Sequence, residues 1–424
     1  MPVVQHVLVL CHTFPPYQGI GGRRWAKFAK AMASKGHQVH VVCSAGTSEM
    51  KGSLWTADVG APGIFVYELP QRYPTVLFKR PLTTVADRVR YHFWMRAMPL
   101  LVKGNWFDKA ILWEKQLLDL CGRLIKEHAI RNVIVSGAPF SLMTHALRLK
   151  ERHQGIHLIA DFRDPWTWTG GYGYRSLSSK RQARERALEE LAVHAFDTII
   201  SPATGIIDHL RTSYGGAATK YHVIPHAIDP DELASLPEHP KDGTFRMVFA
   251  GNVYDPQVAS GFFQALFDGL EQLRTTRPEV FAKTILDILI TDGDMAAYRM
   301  EAETRGLGQQ VRFHDPLPPR EFFTLLAMAD LALVFSTSFN KDFLGTKFNE
   351  LFHLRKPVLH IGEPGVVSRT IAEKRLGASV RLDELPTELA RFITGERTID
   401  LDPAANISDH RLDAVTDALL KLMV

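Results

Sequence analysis

Short apolar runs alternate with amphipathic segments along the first half of the chain. Val7–Leu10 has the continuous apolar character of a buried parallel strand, and a loop, a predicted helix at Arg23–Ser34 and a second strand at His37–Val42 follow it. This order predicts a βαβ unit. Further strands are predicted at Val133–Ser136, Leu158–Asp161, Thr198–Ser201 and Tyr221–Ile224. With helical segments between them, residues 1–228 are predicted to form a doubly wound, Rossmann-like α/β domain.

The same alternation restarts in the second half. Residues 229–243 are polar and contain prolines, which predicts a linker. Strands are then predicted at Phe245–Gly251, Ile285–Ile290, Val311–Phe313 and Leu331–Phe335, with helices after Val258 and at Pro319–Met328. Residues 244–405 therefore predict a second α/β domain, and a final amphipathic helix within 406–424 could cross back to the first one.

The stretch Lys341–Gly362 combines a loop, a helix and a strand. Three apolar residues recur at the i, i+3, i+4 spacing of a buried helical face: Phe348, Leu351 and Phe352. Thr346 is predicted to cap this helix, and Pro357 to end it before a short apolar strand.

Charged side chains cluster at the start of that helix. Lys347 and Glu350 are predicted to lie in its first turn, away from the core, and Asp342 lies in the preceding loop. Backbone N–H groups at a helix start favour an anion such as phosphate, and a carboxylate one turn in suits a pair of sugar hydroxyls. The alternative is an exposed ion pair with an ordinary loop charge before it.

The loop after the first predicted strand is rich in glycine. Gly21 and Gly22 directly precede Arg23 and Arg24 at the predicted helix start. Glycines there allow a ligand to approach the backbone closely, although they could also serve the turn alone. The third glycine and the later acidic residue of a dinucleotide fingerprint are absent from this pattern, so NAD or FAD binding is not predicted.

Two acids flank an arginine directly after another predicted strand. Asp161, Arg163 and Asp164 lie where an open α/β sheet places its ligands, at the carboxyl end of the strand. They could form an acceptor site or an ion cluster that satisfies itself, and the sequence leaves both interpretations open.

Residues 71–103 mix basic and aromatic side chains. This segment contains seven Lys or Arg residues and a single acid, Asp87. Such a mixture suits an anionic membrane surface or a phosphorylated acceptor. A solvated helical face with aromatic residues in the core is the alternative.

The composition bounds the class of protein. The length of 424 residues favours two or three domains, and a net charge of +4 is too small to indicate a nucleic-acid partner. Three cysteines without C-x-x-C spacing indicate a reducing compartment. A leader and an apolar span of about 20 residues are both lacking, so we expect a cytoplasmic protein, either free or peripheral on the inner face of the membrane.

One acidic motif could suggest a metal. Asp292-Gly293-Asp294 has the D-x-D form that binds a divalent ion in some sugar transferases, but Asp-Gly is also a common turn pair. The turn is favoured, and no metal site is predicted.

Several of these motifs together resemble one enzyme family. They are Gly21-Gly22 with Gly36-His37, Asp161–Trp166, Val223–Asp229, and Asp342–Glu350 followed by Lys356-Pro357-Val358. On two α/β domains, this set resembles the GT-B architecture and, within it, the retaining "group 1" nucleotide-sugar glycosyltransferases. The resemblance implies two Rossmann-like domains facing across a cleft, with the acceptor on the N-terminal side and the donor on the C-terminal side.

The resemblance also implies a reaction and a site. It implies metal-independent hexosyl transfer with retention, without a cofactor, from a nucleotide diphosphate sugar to a hydroxyl of a glycan or lipid-linked acceptor, in polysaccharide or glycolipid synthesis. Glu350 would hold ribose hydroxyls, Asp342 would lie near the transferred sugar, and Lys347 with Arg23-Arg24 would neutralise the diphosphate. The implied catalytic residues are Asp342, Lys347 and Asp164, and the implied donor-binding residues are Gly21, Gly22, Arg23, Gly251, Asn252, Gly345, Thr346 and Glu350.

The chain departs from the family pattern at three places. Asp342 replaces the usual glutamate, residues 251–257 lack the usual Arg and Lys, and Ser136–Pro139 lacks a histidine that many relatives carry. Two other functions therefore stay open: a nucleotide-sugar epimerase on the same fold, and a catalytically silent partner that binds a nucleotide sugar or glycolipid.

Overall fold

The computed structural model describes most of the chain and divides it into two compact units. The described residues are 4–46, 50–79, 81–169, 171–237, 239, 242–251, 256–290, 295–315, 317–338, 340–342, 344–402 and 404–424. The first unit comprises Met1–Pro225 and Leu412–Val424, and the second comprises His226–Arg411. Residues 229–243, predicted to be a linker, thus belong to the second unit.

Thirteen strands are assigned in the described residues. They are β1 His6–Leu10, β2 Gln38–Ser44, β3 Ile64–Leu69, β4 Asn132–Gly137, β5 His157–Phe162, β6 Thr198–Ser201, β7 Tyr221–Val223, β8 Phe245–Ala250, β9 Thr284–Leu289, β10 Val311–His314, β11 Leu331–Ser336, β12 Val358–Gly362 and β13 Gly377–Val380.

Fourteen α-helices accompany these strands in the same described ranges. They are α1 Arg23–Ser34, α2 Val85–Leu101, α3 Glu114–Glu127, α4 Ser141–Arg152, α5 Ser179–Ala195, α6 Thr204–Tyr214, α7 Pro256–Thr276, α8 Pro278–Phe281, α9 Met295–Thr304, α10 Pro319–Met328, α11 Thr346–His353, α12 Val366–Glu373, α13 Leu385–Thr394 and α14 Leu412–Leu420. None of them is both long and apolar enough to cross a membrane, within the described part of the chain.

The first unit is built on a parallel sheet with the order β3-β2-β1-β4-β5-β6-β7. Central β1 pairs with β2 on one side and β4 on the other, with Val9 opposite Val41 and Ile134. Successive connections run in opposite directions from β1, which creates a topological switch point between β1 and β4. The predicted doubly wound domain is therefore confirmed.

The last helix belongs to the first unit. α14 packs against α1, and Lys35 Nζ lies 2.7 Å from an Asp417 carboxylate oxygen. Beyond the helix, the Val424 N–H donates to Asn132 Oδ1 at 3.0 Å, and Asn132 Nδ2 donates to the Val424 carbonyl at 2.9 Å. These bonds attach the chain terminus to the start of β4.

The second unit repeats the doubly wound design with the parallel order β10-β9-β8-β11-β12-β13. Its sheet is covered on both faces, because alternate residues of β8 enter different cores. Met247 and Phe249 pack in one cluster, and Val248 packs in another with Phe352 of α11. The switch point of this sheet lies between β8 and β11.

Candidate functional site

One guanidinium group joins three loops at the switch point of the first sheet. Arg163, just after β5, donates to the Gly21 carbonyl at 2.9 Å and to the Ala138 carbonyl at 3.3 Å. Its Nε also donates to Asp164 Oδ2 at 2.8 Å. Two predicted site residues, Gly21 and Asp164, therefore meet at the carboxyl edge of this sheet.

A side chain at position 21 would displace the Arg163 guanidinium. A Cβ at Gly21 would lie 2.7 Å from an Arg163 terminal nitrogen. Tyr172 lies beside this ion pair. Partial burial and the adjacent Asp164 carboxylate raise the pKa of its hydroxyl. At neutral pH this edge of the sheet therefore presents a neutral phenol beside a carboxylate–guanidinium pair.

The two arginines at the start of α1 have different environments. Both were predicted to neutralise a diphosphate, and for Arg24 that prediction is wrong. Arg24 is buried, lies 3.2 Å from an Asp161 oxygen, and donates to the carbonyls of Ile224 and Pro225 at 2.8 and 2.9 Å. Its donors are committed to the interior. The Arg23 guanidinium instead lies 6.0 Å from the Trp55 ring centroid.

Asp161 is likewise structural. Its side chain is fully buried, and besides Arg24 it accepts from Trp25 Nε1 and Ser136 Oγ, each at 2.9 Å. Of the two acids that flank Arg163, only Asp164 thus lies at a partly exposed edge, with a side-chain exposure of 29%.

A histidine that sequence reasoning missed lies at the same edge. His12 follows β1, and its ring stacks on Trp113 at a centroid distance of 5.0 Å. Within the described residues its Nε2 has no hydrogen-bond partner, and burial together with nearby Lys109 lowers the pKa of the imidazole to about 3. A polar residue directly after the apolar run was the available signal.

The loop after β11 lies beside the switch point of the second sheet and carries Asp342. Its backbone is held by α12, because the Val366 N–H donates to the Lys341 carbonyl at 2.7 Å. Contact is so close that a Cβ at Gly365 would lie 2.1 Å from that carbonyl oxygen. Gly251 follows β8 and donates its N–H to the Leu289 carbonyl at 3.1 Å. The chain positions of Gly251 and Asp342 therefore converge on one switch point.

The helix α11 differs from its prediction in two respects. Gly345, not Thr346, occupies the N-cap position, and it supplies no side-chain cap. Glu350 was predicted to face solvent, but it is only 2% exposed. The predicted apolar face is confirmed, with Phe348, Leu351 and Phe352 all buried. Residues 348–352 are buried on every side of this short helix. A periodic pattern that assumes a single buried face therefore could not predict the burial of Glu350.

A second buried polar side chain stands next to Glu350. Asn349 is 2% exposed, and its Nδ2 donates to the His226 carbonyl. Its Oδ1 has no hydrogen-bond partner among the described residues. A buried, unsatisfied amide oxygen beside a buried carboxylate marks the start of α11 as a place for a polar ligand.

The predicted site residues thus form two groups, one in each unit. Gly21, Gly22, Arg23 and Asp164 belong to the first unit, and Gly251, Asp342, Gly345, Thr346, Lys347 and Glu350 belong to the second. Thr346 and Lys347 open α11, and their side chains are outside the described part of the structure. Asn252 and the Asp292-Gly293-Asp294 motif also lie outside the described residues.

One histidine cluster lies at the opposite, amino edge of the first sheet. In the described ranges, His6, His40 and His128 are the only His, Cys, Asp or Glu side chains close enough together to hold a metal ion. His6 Nδ1 and His40 Nε2 are 3.1 Å apart, and His40 Nδ1 lies 3.1 Å from the Tyr67 hydroxyl. The His6 ring stacks on both other rings, and the ring centroids of His40 and His128 lie 4.3 Å apart. Mutual hydrogen bonding and stacking account for this cluster.

Comparison with known proteins identifies a domain in the first unit. Residues 21–227 match the model of the glycosyl transferase 4-like domain. The chain carries a glycosyl transferase 4-like domain. Together with the solved structures below, this match confirms the resemblance to group 1 glycosyltransferases and the GT-B fold. No curated protein matches the chain significantly.

Solved structures resemble the whole chain at low sequence identity. A glycosyltransferase from Rickettsia africae ESF-5 aligns over 99% of this chain and 97% of its own, with a TM-score of 0.63 and 12% identity. Sucrose-phosphate synthase from Thermosynechococcus elongatus covers 99% and 98%, with a TM-score of 0.64 and 12% identity. A Listeria monocytogenes protein assigned as a UDP-N-acetylglucosamine 2-epimerase covers 99% and 95%, with a TM-score of 0.58 and 14% identity.

Proposed function

We propose that this protein transfers a hexosyl group from a nucleotide diphosphate sugar to a hydroxyl acceptor, with retention of anomeric configuration. The observation that carries the proposal is the match of residues 21–227 to the glycosyl transferase 4-like domain. The position of Asp342 and Glu350 supports it, because both lie on the segment that leaves β11 at a switch point, where doubly wound sheets bind ligands.

The start of α11 supplies the chemistry that a nucleotide diphosphate needs. Its first-turn N–H groups and the helix dipole favour the phosphate charge, and Lys347 in this turn adds a cation. Glu350 is acceptor-only when ionised, so it suits the two hydroxyls of a ribose. Because this carboxylate is buried, hydroxyl donors from a ligand would be worth more there than at the surface.

The transfer step depends on stabilising the departing diphosphate. In the proposed front-face reaction, the bond from the anomeric carbon to the phosphate oxygen breaks as the bond to the acceptor oxygen forms. The acceptor proton passes to the leaving phosphate, so no side-chain base is required. Fixed N–H donors and Lys347 stabilise the growing negative charge without a metal ion. On the acceptor side, Asp164 and Tyr172 are available to orient the hydroxyl.

Binding of the donor is the first test. Thermal unfolding would be followed for wild-type protein, Glu350→Gln and the control Glu373→Gln, with UDP, GDP and ADP and their hexose conjugates. A ligand at 100 times its Kd adds about 2.7 kcal/mol to the free energy of unfolding. We expect one nucleotide series to stabilise wild type and Glu373→Gln, and Glu350→Gln to lose most of that gain. Equal stabilisation of all three proteins would remove Glu350 from the site.

Turnover is the second test. With the stabilising donor and a panel of glycan and lipid-linked hydroxyl acceptors, a transferase releases nucleoside diphosphate only when an acceptor is present. Tight donor binding without turnover on any acceptor would favour the silent partner instead. We place the reaction in polysaccharide or glycolipid synthesis on the cytoplasmic side of the membrane.

An epimerase is the second candidate, because the same fold occurs in the Listeria monocytogenes protein assigned as a 2-epimerase. An epimerase would convert the donor into a second nucleotide sugar and release no nucleoside diphosphate. Proton NMR of the donor incubated without acceptor separates the two reactions, since only epimerisation produces a new anomeric signal while the nucleotide sugar stays intact.

A further inference from the structure

Helix α2 carries an apolar stripe that the fold does not use. The exposed fractions are 75% for Val85, 64% for Val89, 61% for Phe93 and 88% for Leu100. At 100° per residue these four positions fall within an arc of about 80° on one side of the helix. Large side chains this exposed, aligned over four turns, are unusual on a soluble surface and indicate a binding face.

The opposite side of α2 already has its packing partners. Met98 is fully buried in a cluster with Tyr73 and Trp106, and Trp94 and Met95 pack against the same cluster. The inner face therefore attaches the helix to the first unit, and the outer stripe contributes nothing to that attachment.

The charges beside the stripe are positive. Arg88, His92 and Arg96 lie on the same outer face of α2 as the apolar residues, and Arg88, Arg96 and Arg90 are exposed. The sole acid of residues 71–103, Asp87, is buried, and its Oδ2 accepts from Lys79 Nζ at 2.6 Å. The outer face of α2 thus combines apolar side chains with cations.

We propose that α2 docks in the plane of an anionic membrane surface. Apolar side chains enter the boundary between headgroups and acyl chains, while arginines extend to lipid phosphates along the same face. A second copy of the chain fits less well, because a symmetric contact through this stripe would bring Arg88 and Arg96 against the same cations. An anionic bilayer satisfies the apolar and the charged residues together.

The docked helix would hold the acceptor edge of the first sheet at the membrane. The chain leaving α2 reaches that edge directly, since Asn105 Nδ2 donates to the Tyr172 carbonyl at 2.9 Å. Arg181 also donates to the Val102 carbonyl at 2.7 Å, which fixes the end of the helix. This consequence rests on the proposed transferase function and points to a lipid-linked acceptor, whereas the docking itself does not depend on it.

Vesicle sedimentation of the full chain tests the docking. The vesicles would be phosphatidylcholine alone, or phosphatidylcholine with 30% phosphatidylglycerol as an experimental choice, at about 0.1 M salt, near a Debye length of about 10 Å. The variants would be Val89→Ser/Phe93→Ser and Arg88→Gln/Arg96→Gln. Leu191→Ser, at an apolar position of the same unit that is 52% exposed, is the matched control.

Wild type and Leu191→Ser are expected to bind the anionic vesicles and to bind phosphatidylcholine weakly. At about 1 kcal/mol per arginine near the surface, the double Arg→Gln variant should bind anionic vesicles about 30-fold less tightly. The Val89→Ser/Phe93→Ser variant should lose at least tenfold on both vesicle types. All variants should keep the wild-type melting temperature, because these side chains are exposed.

Failure of wild type to bind anionic vesicles would overturn the proposal, as would unchanged binding by either double variant. Dimerisation that Val89→Ser/Phe93→Ser abolishes, without vesicle binding, would reassign the stripe to a second copy. Donor-induced stabilisation is measured in parallel. Its retention in the α2 variants separates a failure of docking from a failure of the proposed function.

Discussion

Replacement of Arg24 by methionine should destabilise the first unit far more than the same change at Arg23. The two arginines are adjacent at the start of α1, yet only Arg24 is buried. Its side chain is 2% exposed, and that of its partner Asp161 is 0% exposed. Arg24→Met removes the guanidinium but keeps most of the side-chain length. It leaves the Asp161 carboxylate in the interior without its cation.

The expected loss follows from the groups left behind. Removing one partner of a buried ion pair costs about 3 to 5 kcal/mol. The carbonyls of Ile224 and Pro225 also lose their donors, at about 1 kcal/mol each if they stay dry. These costs overlap, so we expect about 4 kcal/mol. Arg23→Met should cost about 1 kcal/mol, because the Arg23 side chain is only half-buried and its cation–π contact with Trp55 is weak.

Tryptophan fluorescence makes this measurement specific for one unit. All seven tryptophans lie between positions 25 and 168, and therefore in the first unit. Urea unfolding of wild type, Arg24→Met and Arg23→Met would be followed by this signal. A loss of about 4 kcal/mol should lower the midpoint by about 1 to 2 M urea.

A double-mutant cycle with Asp161→Asn isolates the pair. Arg24→Met with Asp161→Asn should be less destabilised than the sum of the single variants by about 1 to 3 kcal/mol, because the stranded charge is gone. Equal midpoints for Arg24→Met and Arg23→Met, or strict additivity in the cycle, would show that Arg24 is not the buried partner of Asp161.

Two further predictions concern the second unit. His360 is 1% exposed with no ring-nitrogen partner among the described residues, and burial lowers its pKa to about 4. Between pH 6.5 and about 4, the unfolded chain therefore binds a proton at His360 that the folded chain does not, so acid destabilises wild type. From pH 7 to pH 5 the free energy of unfolding of wild type should fall by about 2 kcal/mol more than that of His360→Leu. Thermal unfolding at both pH values measures this, and an identical pH dependence for the two proteins would contradict it. Gly365→Ala should displace the loop of Asp342, since its Cβ would lie 2.1 Å from the Lys341 carbonyl oxygen, and should weaken donor-induced stabilisation at least tenfold in Kd. The control Gly261→Ala, where a Cβ meets open space in α7, should bind donor as wild type does; equal affinity of both variants would contradict the close approach.

The pattern of apolar residues was sufficient for most elements near the switch points. α1 and α10 begin and end where the sequence predicts, at Arg23–Ser34 and Pro319–Met328. Edge strand β3 was missed although residues 64–67 form an apolar run. In the structure this strand is only half-buried, and its Glu68 accepts from the Tyr17 hydroxyl at 2.8 Å.

Burial of individual polar residues was beyond the sequence. Helical periodicity placed Glu350 outside, because periodicity assumes one buried face, whereas α11 is covered on both sides. The neighbouring arginines at 23 and 24 look equivalent in sequence, and their difference depends on Asp161, 137 residues away.

The sequence by itself determined the two α/β halves, most of their central strands, and the family resemblance, because these depend on short-range periodicity and local motifs. Only the tertiary structure decided which charges are buried, that the last helix joins the first unit, and that α2 leaves an apolar stripe uncovered. These outcomes depend on contacts between residues that are far apart in the sequence, and local sequence patterns do not specify such contacts.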